Sequence, residues 1–427
     1  MSLVIKGASL LGAETADLYV DDSGVLVDSA PAGAETSDAD GLVALPGLVD
    51  LHTHLREPGR EDAETILTGS QAAALGGYTA VLAMANTSPV TDTAEAATRV
   101  WELGREAGLV HVQPVGAVTR GLGGEELAEL GLMHRSRAEV MVFSDDGTCV
   151  HDARVMRRAL EYVKAFGGVV SQHSQDPSLA GSAACCHEGE LSGRLGLPGW
   201  PGIAEEVIVA RDVMLARHTG SRVHVAHVSS AGSVEVLRWA KAQAKEDGHW
   251  QVTAEVTPHH LLLTTDLLTG YDPTFKVNPP LRPQEDVDAL RAALADGIID
   301  AVATDHAPHA RHDKEHAFVD AAFGMLGLET ALGVVRTAMP ELSWTDIARV
   351  MSHTPARIAG LADQGRALAP GSPAHLVLVD PDASVTVDRD ASASLSRNNP
   401  WHGRNLTSRV VHTVYAGRVT VRDGSLA

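Results

Sequence analysis

Through the middle of the chain, short apolar runs alternate with longer amphipathic stretches. Eight runs rich in Val and Ala read as buried strands: LVALPGLVDL before His52, TAVLAMA from Thr79, VQPVGAV from Val112, AEVMVFS from Ala138, GVVSQHS from Gly168, RVHVAHVS from Arg222, WQVTAEV from Trp250 and IIDAVATD from Ile298. Between them the pattern predicts helices that stop at glycine: 63–75 before Gly76-Gly77, 153–166 before Gly167-Gly168, 204–218 before Gly220, 232–245 before Gly248 and 287–295 before Gly297. A further helix is expected over 325–338. Eight strand–helix repeats over ~270 residues predict an α/β protein built as a (β/α)8 TIM-type barrel, over 46–370. The ends read differently. LVIKGASLL, ADLYVDDSG and GVLVDSA precede the barrel, and AHLVLVDP, SVTVD and VVHTVYAGRVTVRDG follow it. Segments 1–45 and 371–427 are therefore expected to fold together as a small β-sandwich domain.

Composition adds limits. The chain has 427 residues, enough for one large domain and one small. Only 4 % are aromatic, so Ala, Val and Leu must fill the core. A net charge of -21 repels phosphate and argues against nucleic-acid or anionic-membrane partners, though a local cation can still hold a small anion in a cleft. No run approaches the ~18 apolar residues of a membrane span. The N-terminus lacks the apolar core of a signal peptide, and three cysteines, Cys149, Cys185 and Cys186, do not form a disulfide framework. A cytoplasmic protein is the expectation.

The candidate chemistry stands at the strand ends. His52 and His54 are two apart, so on a strand they share a face, and Arg56 follows on the same parity. Run four ends in Asp145-Asp146, run five at His173, run six at His227 and run eight at Asp305. In a barrel these ends form one rim, where active sites sit. A lone histidine is usually structural; imidazoles and carboxylates from five strand ends point to a metal. The donor types suit Zn²⁺ best, with Mn²⁺, Co²⁺ and Fe²⁺ as alternatives. Six ligands exceed one tetrahedral ion, so two ions sharing a carboxylate are expected. The reaction class is hydrolysis of an amide-like bond or its reverse, with Asp305 as the proton carrier.

The stretches DLHTHLREPG, MANTSP, FSDDG, SQHSQD, HVAHVSS, EVTPHHL, KVNPPLR, TDHAPH and FGMLGLET, in this order from Asp50 to Thr330, resemble the amidohydrolase superfamily, and within it the bacterial type I dihydroorotases. The resemblance implies zinc-dependent, reversible closure of N-carbamoyl-L-aspartate to L-dihydroorotate in pyrimidine synthesis. It implies that His52, His54 and Asp305 hold one zinc, that His173 and His227 hold the second, and that Asp146 rather than Asp145 bridges them. Many relatives bridge with a carboxylated lysine, and MVFSDDG contains none. The substrate's α-carboxylate would be held by Arg56, Asn86 and His309, with His54 also lining its site. Asn278 would meet the ring amide, and Phe323 and Gly324 would close near the ligand. The partner is thus a small molecule, and the resemblance allows homo-oligomers and association with aspartate transcarbamoylase. Two competing readings are another cyclic amidase (allantoinase or dihydropyrimidinase/hydantoinase) and a non-catalytic subunit supporting aspartate transcarbamoylase. MANT and SQHSQD depart from the family's MPNT and HCE-like runs. His259, His260 and Asp145 have no assigned role at this level.

Overall fold

In the computed structural model, which describes residues 2–427, parallel pairing organises the middle of the chain. Leu48–Thr53, Tyr78–Ala83 and His111–Pro114 form one sheet. Val142–Phe143, Val169–Gln172, Arg222–Val225, Gln251–Val256 and Ala301–Val302 form another. Single parallel bridges join the two at both seams, Gly116 with Phe143 and Thr53 with His306. Each strand is followed by helix, the longest being Ile203–Thr219 and Ala231–Asp247. The helices present one apolar face to the sheets. Ala153–Lys164 buries Val155, Met156, Ala159, Leu160 and Val163, a stripe at helical spacing, and the Asp152 carboxylate caps it by accepting from Arg154 N and Val155 N. Gly220 and Gly248 end their helices in the left-handed conformation, as the sequence predicts.

Several boundaries move, among them the helix expected from 287, which begins at Gln284, and three of the shifts have a clear cause. The run LVALPGLVDL is two strands, not one: Val43–Pro46 and Leu48–Thr53 part at Gly47. A Cβ at Gly47 would sit 2.2 Å from Thr79 Oγ1, so only glycine lets the chain pass this close to the neighbouring strand. The helix expected from residue 63 begins at Ile66, because Thr65 and Thr68 form a reciprocal cap there. The helix expected from Met325 begins at Ala331, after a short 3-10 turn over Leu328–Thr330; Met325 is extended because it bridges to His306.

The chain ends share one nine-stranded sheet. It contains Leu3–Leu10, Glu14–Val20, Val43–Pro46, Leu376–Thr386 and Asn405–Tyr415, with the short strands beside them. The layers expected of a sandwich are strands of this single hydrogen-bonded sheet. Val43–Pro46 carries the chain from it directly into Leu48–Thr53, which places His52 and His54 six and eight residues beyond Pro46. Among the described residues no helix is long and apolar enough to cross a membrane.

Candidate metal centre

Six side chains from the carboxyl ends of five parallel strands meet in a buried cluster. His52 and His54 end the first strand, Asp146 follows Val142–Phe143, His173 follows Val169–Gln172, His227 follows Arg222–Val225, and Asp305 follows Ala301–Val302. None is more than 6 % exposed, so water does not screen their contacts. Asp146 is central. Its Oδ1 lies 3.3 Å from His52 Nε2, 3.2 Å from His173 Nδ1 and 3.3 Å from His227 Nε2, and its Oδ2 is 3.3 Å from His54 Nε2. Asp305 Oδ1 is 3.1 Å from His54 Nε2 and 3.6 Å from His52 Nε2. His173 Nδ1 and His227 Nε2 are 2.9 Å apart.

Two subsets bring one donor atom per residue within 4.8 Å of one another: His52, His54 and Asp305; and His52, Asp146 and His227. His52 belongs to both. The donors are of the kind that bind a divalent metal, and one atom needs such a partner: His52 Nε2 is buried without a hydrogen bond. Its other nitrogen, Nδ1, lies 3.0 Å from Glu255 Oε1, the carboxylate–histidine arrangement that aims an imidazole at a metal. The residues therefore fit a metal.

Electrostatics agree with close-packed ligands. Burial alone would raise the Asp146 pKa, but His52, His173 and His227 around it hold the carboxyl well below the usual range. Burial likewise opposes ionisation of Asp305, and the hydrogen bond to His54 with the nearby His52 and His227 outweighs it, so its pKa is lowered. Both are carboxylates at neutral pH. Burial also disfavours charge on Glu255, yet its hydrogen bonds to His224 and His52 bring its pKa down to about 2.

Three site residues hold left-handed backbone: Arg56 at φ 61°, His227 at φ 31° and Asp305 at φ 47°. Non-glycine residues pay for this conformation, and the packing around them must hold it. At these three positions the chain turns just beyond a strand end, beside the cluster.

The residues expected around the substrate also gather here. Asn86 Oδ1 is 2.9 Å from His54 Nδ1, and its Nδ2 donates to Asp146 O at 3.4 Å. Arg56 Nε donates to Pro308 O at 3.0 Å, and its NH2 lies 3.3 Å from His309 Nε2. Burial lowers the Arg56 pKa to about 10, which still leaves it charged at neutral pH. His309 Nε2 is 2.6 Å from Phe323 O. Burial and then Arg56 lower the His309 pKa to about 3, so its ring is neutral. Gly324, at φ 137°, lies so close that a Cβ would be 2.7 Å from Ala307 Cβ and 2.9 Å from His309 Nε2. Asn278 Nδ2 donates to Gln175 Oε1 at 3.2 Å, and its Oδ1 is buried without a partner.

Other histidines and acids separate by their contacts. Asp145 accepts from Val118 N at 2.8 Å and Thr119 N at 3.0 Å and braces the preceding loop. His260 is tied to Thr257 at 2.8 Å and to Pro279 O at 3.2 Å. His259 is buried with Nε2 unpartnered. Three supporting groups escape a reading by sequence: Glu255, His224 and Gln175. Gln175 Oε1 accepts from both His173 Nε2, at 2.7 Å, and Asn278, and so links a cluster histidine to a candidate substrate contact. The only signal for Glu255 is a lone carboxylate inside an apolar strand. Replacing Glu255 with alanine is expected to weaken metal affinity about 10–100-fold, measured by titrating metal-stripped protein. Unchanged affinity would mean that His52 is oriented without it.

Parallel strands flanked by helices, with buried imidazoles and carboxylates at their carboxyl ends, define an α/β protein of the class that builds metal-binding hydrolytic centres. Comparison with known proteins agrees. Residues 41–233 match the family model described as dihydro-orotase-like, and residues 205–420 match the amidohydrolase family. A dihydroorotase of Streptomyces coelicolor is 57 % identical over 99 % of each chain, and one of Mycobacterium tuberculosis is 55 % identical over 100 % of each. Among solved structures, the L-hydantoinase of Arthrobacter aurescens superimposes with a TM-score of 0.86 at 25 % identity, covering 100 % of this chain and 97 % of that one. The dihydropyrimidinase of Brevibacillus agri gives a TM-score of 0.85 at 23 % identity, with 100 % and 96 % covered, a likeness of fold. The chain belongs to the dihydroorotase family, within the amidohydrolases.

Proposed function

We propose that this chain is a zinc-dependent dihydroorotase, which interconverts L-dihydroorotate and N-carbamoyl-L-aspartate in the cytoplasm as a step of pyrimidine synthesis. One observation carries the reading: a buried six-donor centre adjoins a charged guanidinium, Arg56, whose NH2 lies beside the neutral ring of His309. A hydrolytic centre beside a fixed cation suits an amide substrate that carries a carboxylate. It also offsets locally the chain's net charge of -21. The family relationship at 55–57 % identity supports the same substrate.

In this reading His52, His54 and Asp305 would hold one zinc and His173 and His227 a second, with Asp146 as the carboxylate that would serve both. Bound there, zinc would polarise the ring amide carbonyl and acidify water. The protein's own side chains do the rest. Arg56, Asn86 and His309 hold the α-carboxylate, and Asn278 holds the ring amide. Backbone groups of Phe323 and Gly324 cover the ligand. Asp305 accepts the proton of the attacking water and delivers it to the ring nitrogen as the C–N bond breaks; ring closure runs the same path backwards.

The wider reading follows the same lines. Segment 46–370 forms a closed (β/α)8 barrel, for which the bridges at both seams are the support, and 1–45 with 371–427 form the small domain. Self-association and docking to aspartate transcarbamoylase rest on the family resemblance alone. The deciding experiment offers metal-loaded protein L-dihydroorotate, hydantoin and allantoin. Turnover of dihydroorotate is expected; turnover of the other two without it would reject the proposal. A protein that retains no metal after mild purification would favour the non-catalytic subunit.

A further inference from the structure

Between the strands Leu376–Thr386 and Asn405–Tyr415 the chain leaves the terminal sheet and packs on the loops that follow His54 and Asp305. Ser394 Oγ donates to the buried carboxylate of Glu64, Leu395 N donates to Glu64 Oε1 at 3.2 Å, and Ser396 Oγ donates to Ala63 O at 2.7 Å. These contacts anchor the segment on the loop that follows His52 and His54. Asn398 comes next, and it is 5 % exposed.

Asn398 joins two loops. Its Nδ2 donates to Ala307 O at 2.9 Å and to Gly324 O at 3.1 Å, and its Oδ1 accepts from His309 N at 3.2 Å. Its backbone oxygen accepts from Leu326 N at 3.0 Å. A primary amide has two donors on one nitrogen and an acceptor beside it, and all three are used here. One side chain thus fixes the loop bearing Ala307 and His309 against the loop bearing Gly324. The loops touch again at the His309 Nε2 to Phe323 O contact of 2.6 Å, and Lys314 Nζ reinforces Gly324 O at 3.0 Å. Gly324 packs closely against the same loop, since a Cβ there would meet Ala307 and His309.

We infer that Asn398 is a positioning residue for substrate binding: it sets the spacing between His309 and the Phe323–Gly324 loop, and so the pocket that receives the substrate's carboxylate. The inference rests on the proposed function, and it assigns part of the binding geometry to a segment far outside the strand–helix repeats. Asn398 acts through His309 and Gly324, so its loss should weaken binding more than it slows chemistry. Aspartate in its place keeps the acceptor for His309 N but turns a carboxylate toward two carbonyl oxygens.

The test uses full-length, metal-loaded protein with Asn398→Ala and Asn398→Asp. For each variant, KM and kcat on L-dihydroorotate are measured with metal content and Tm. Expected is a KM raised about tenfold or more with kcat within about threefold of the unaltered protein and metal content unchanged. A KM within about twofold of the unaltered value in either folded variant overturns the inference. So does a fall in kcat at constant KM, or failure of both variants to fold, which would make Asn398 a folding residue. If the unaltered protein does not act on dihydroorotate, the functional reading fails instead. If it does act and the variants keep its KM, only the role of Asn398 fails.

Discussion

Replacing Asp305 with alanine is expected to lower kcat for dihydroorotate hydrolysis by at least about 10³-fold, within the range that a positioned general acid–base supplies. Asp305 combines two properties a proton carrier needs. It is a carboxylate at neutral pH, because the hydrogen bond to His54 and the nearby His52 and His227 overcome the penalty of burial. It also stands on the cluster itself, with Oδ1 3.1 Å from His54 Nε2. On the proposed reading alanine removes both the proton carrier and one donor of a group able to hold a metal, so metal content must be measured alongside kcat. Asp305→Asn separates the two roles: the amide keeps the shape and an oxygen toward His54 but cannot take up the proton. The fold should survive both changes, because the residue contributes polar contacts at a rim rather than apolar packing. An Asp305→Asn enzyme with kcat within about tenfold of normal would place the proton carrier elsewhere.

The second large effect is expected at Arg56. Arg56→Ala should raise KM about 10–150-fold, the equivalent of a charge-assisted hydrogen bond worth about 1.5–3 kcal/mol, with a smaller change in kcat. One hydrogen bond already fixes the guanidinium, Nε donating to Pro308 O at 3.0 Å, and NH2 lies 3.3 Å from His309 Nε2. The remaining donors are free for an anion. Arg56 lies three residues past the end of Leu48–Thr53, with a left-handed backbone at φ 61°. Arg56→Lys should also raise KM, since an ammonium keeps the charge but loses the fork that grips two oxygens. Steady-state kinetics decide it, and a KM unmoved by either change would remove Arg56 from the substrate site.

The strand-end residues were legible because alternation along a strand is a local property. His52 and His54 must share a face whatever the rest of the chain does, and the apolar run before them says which face is buried. The glycine stops were legible for the same reason, since Gly220 and Gly248 supply the left-handed turn that ends a helix. Glu255 was not. Within WQVTAEV its carboxylate reads as an outward position, and only the approach of Gln251–Val256 to Leu48–Thr53 sets Oε1 3.0 Å from His52 Nδ1. Nor was the break at Gly47, whose cause is Thr79, a residue of the neighbouring strand.

The sequence by itself determined the repeat of strand and helix, the residue types at the strand ends, and through them a metal-binding, hydrolytic chemistry. These follow from periodicity and from the donor atoms each side chain carries. The family resemblance favours Asp146 over Asp145, but only tertiary structure sets Asp146 among four imidazoles, turns Asp145 to backbone amides and brings Asn398 across to His309. Such choices depend on register and closure between segments up to hundreds of residues apart, and no local pattern encodes the distance between two side chains that only the folded chain brings together.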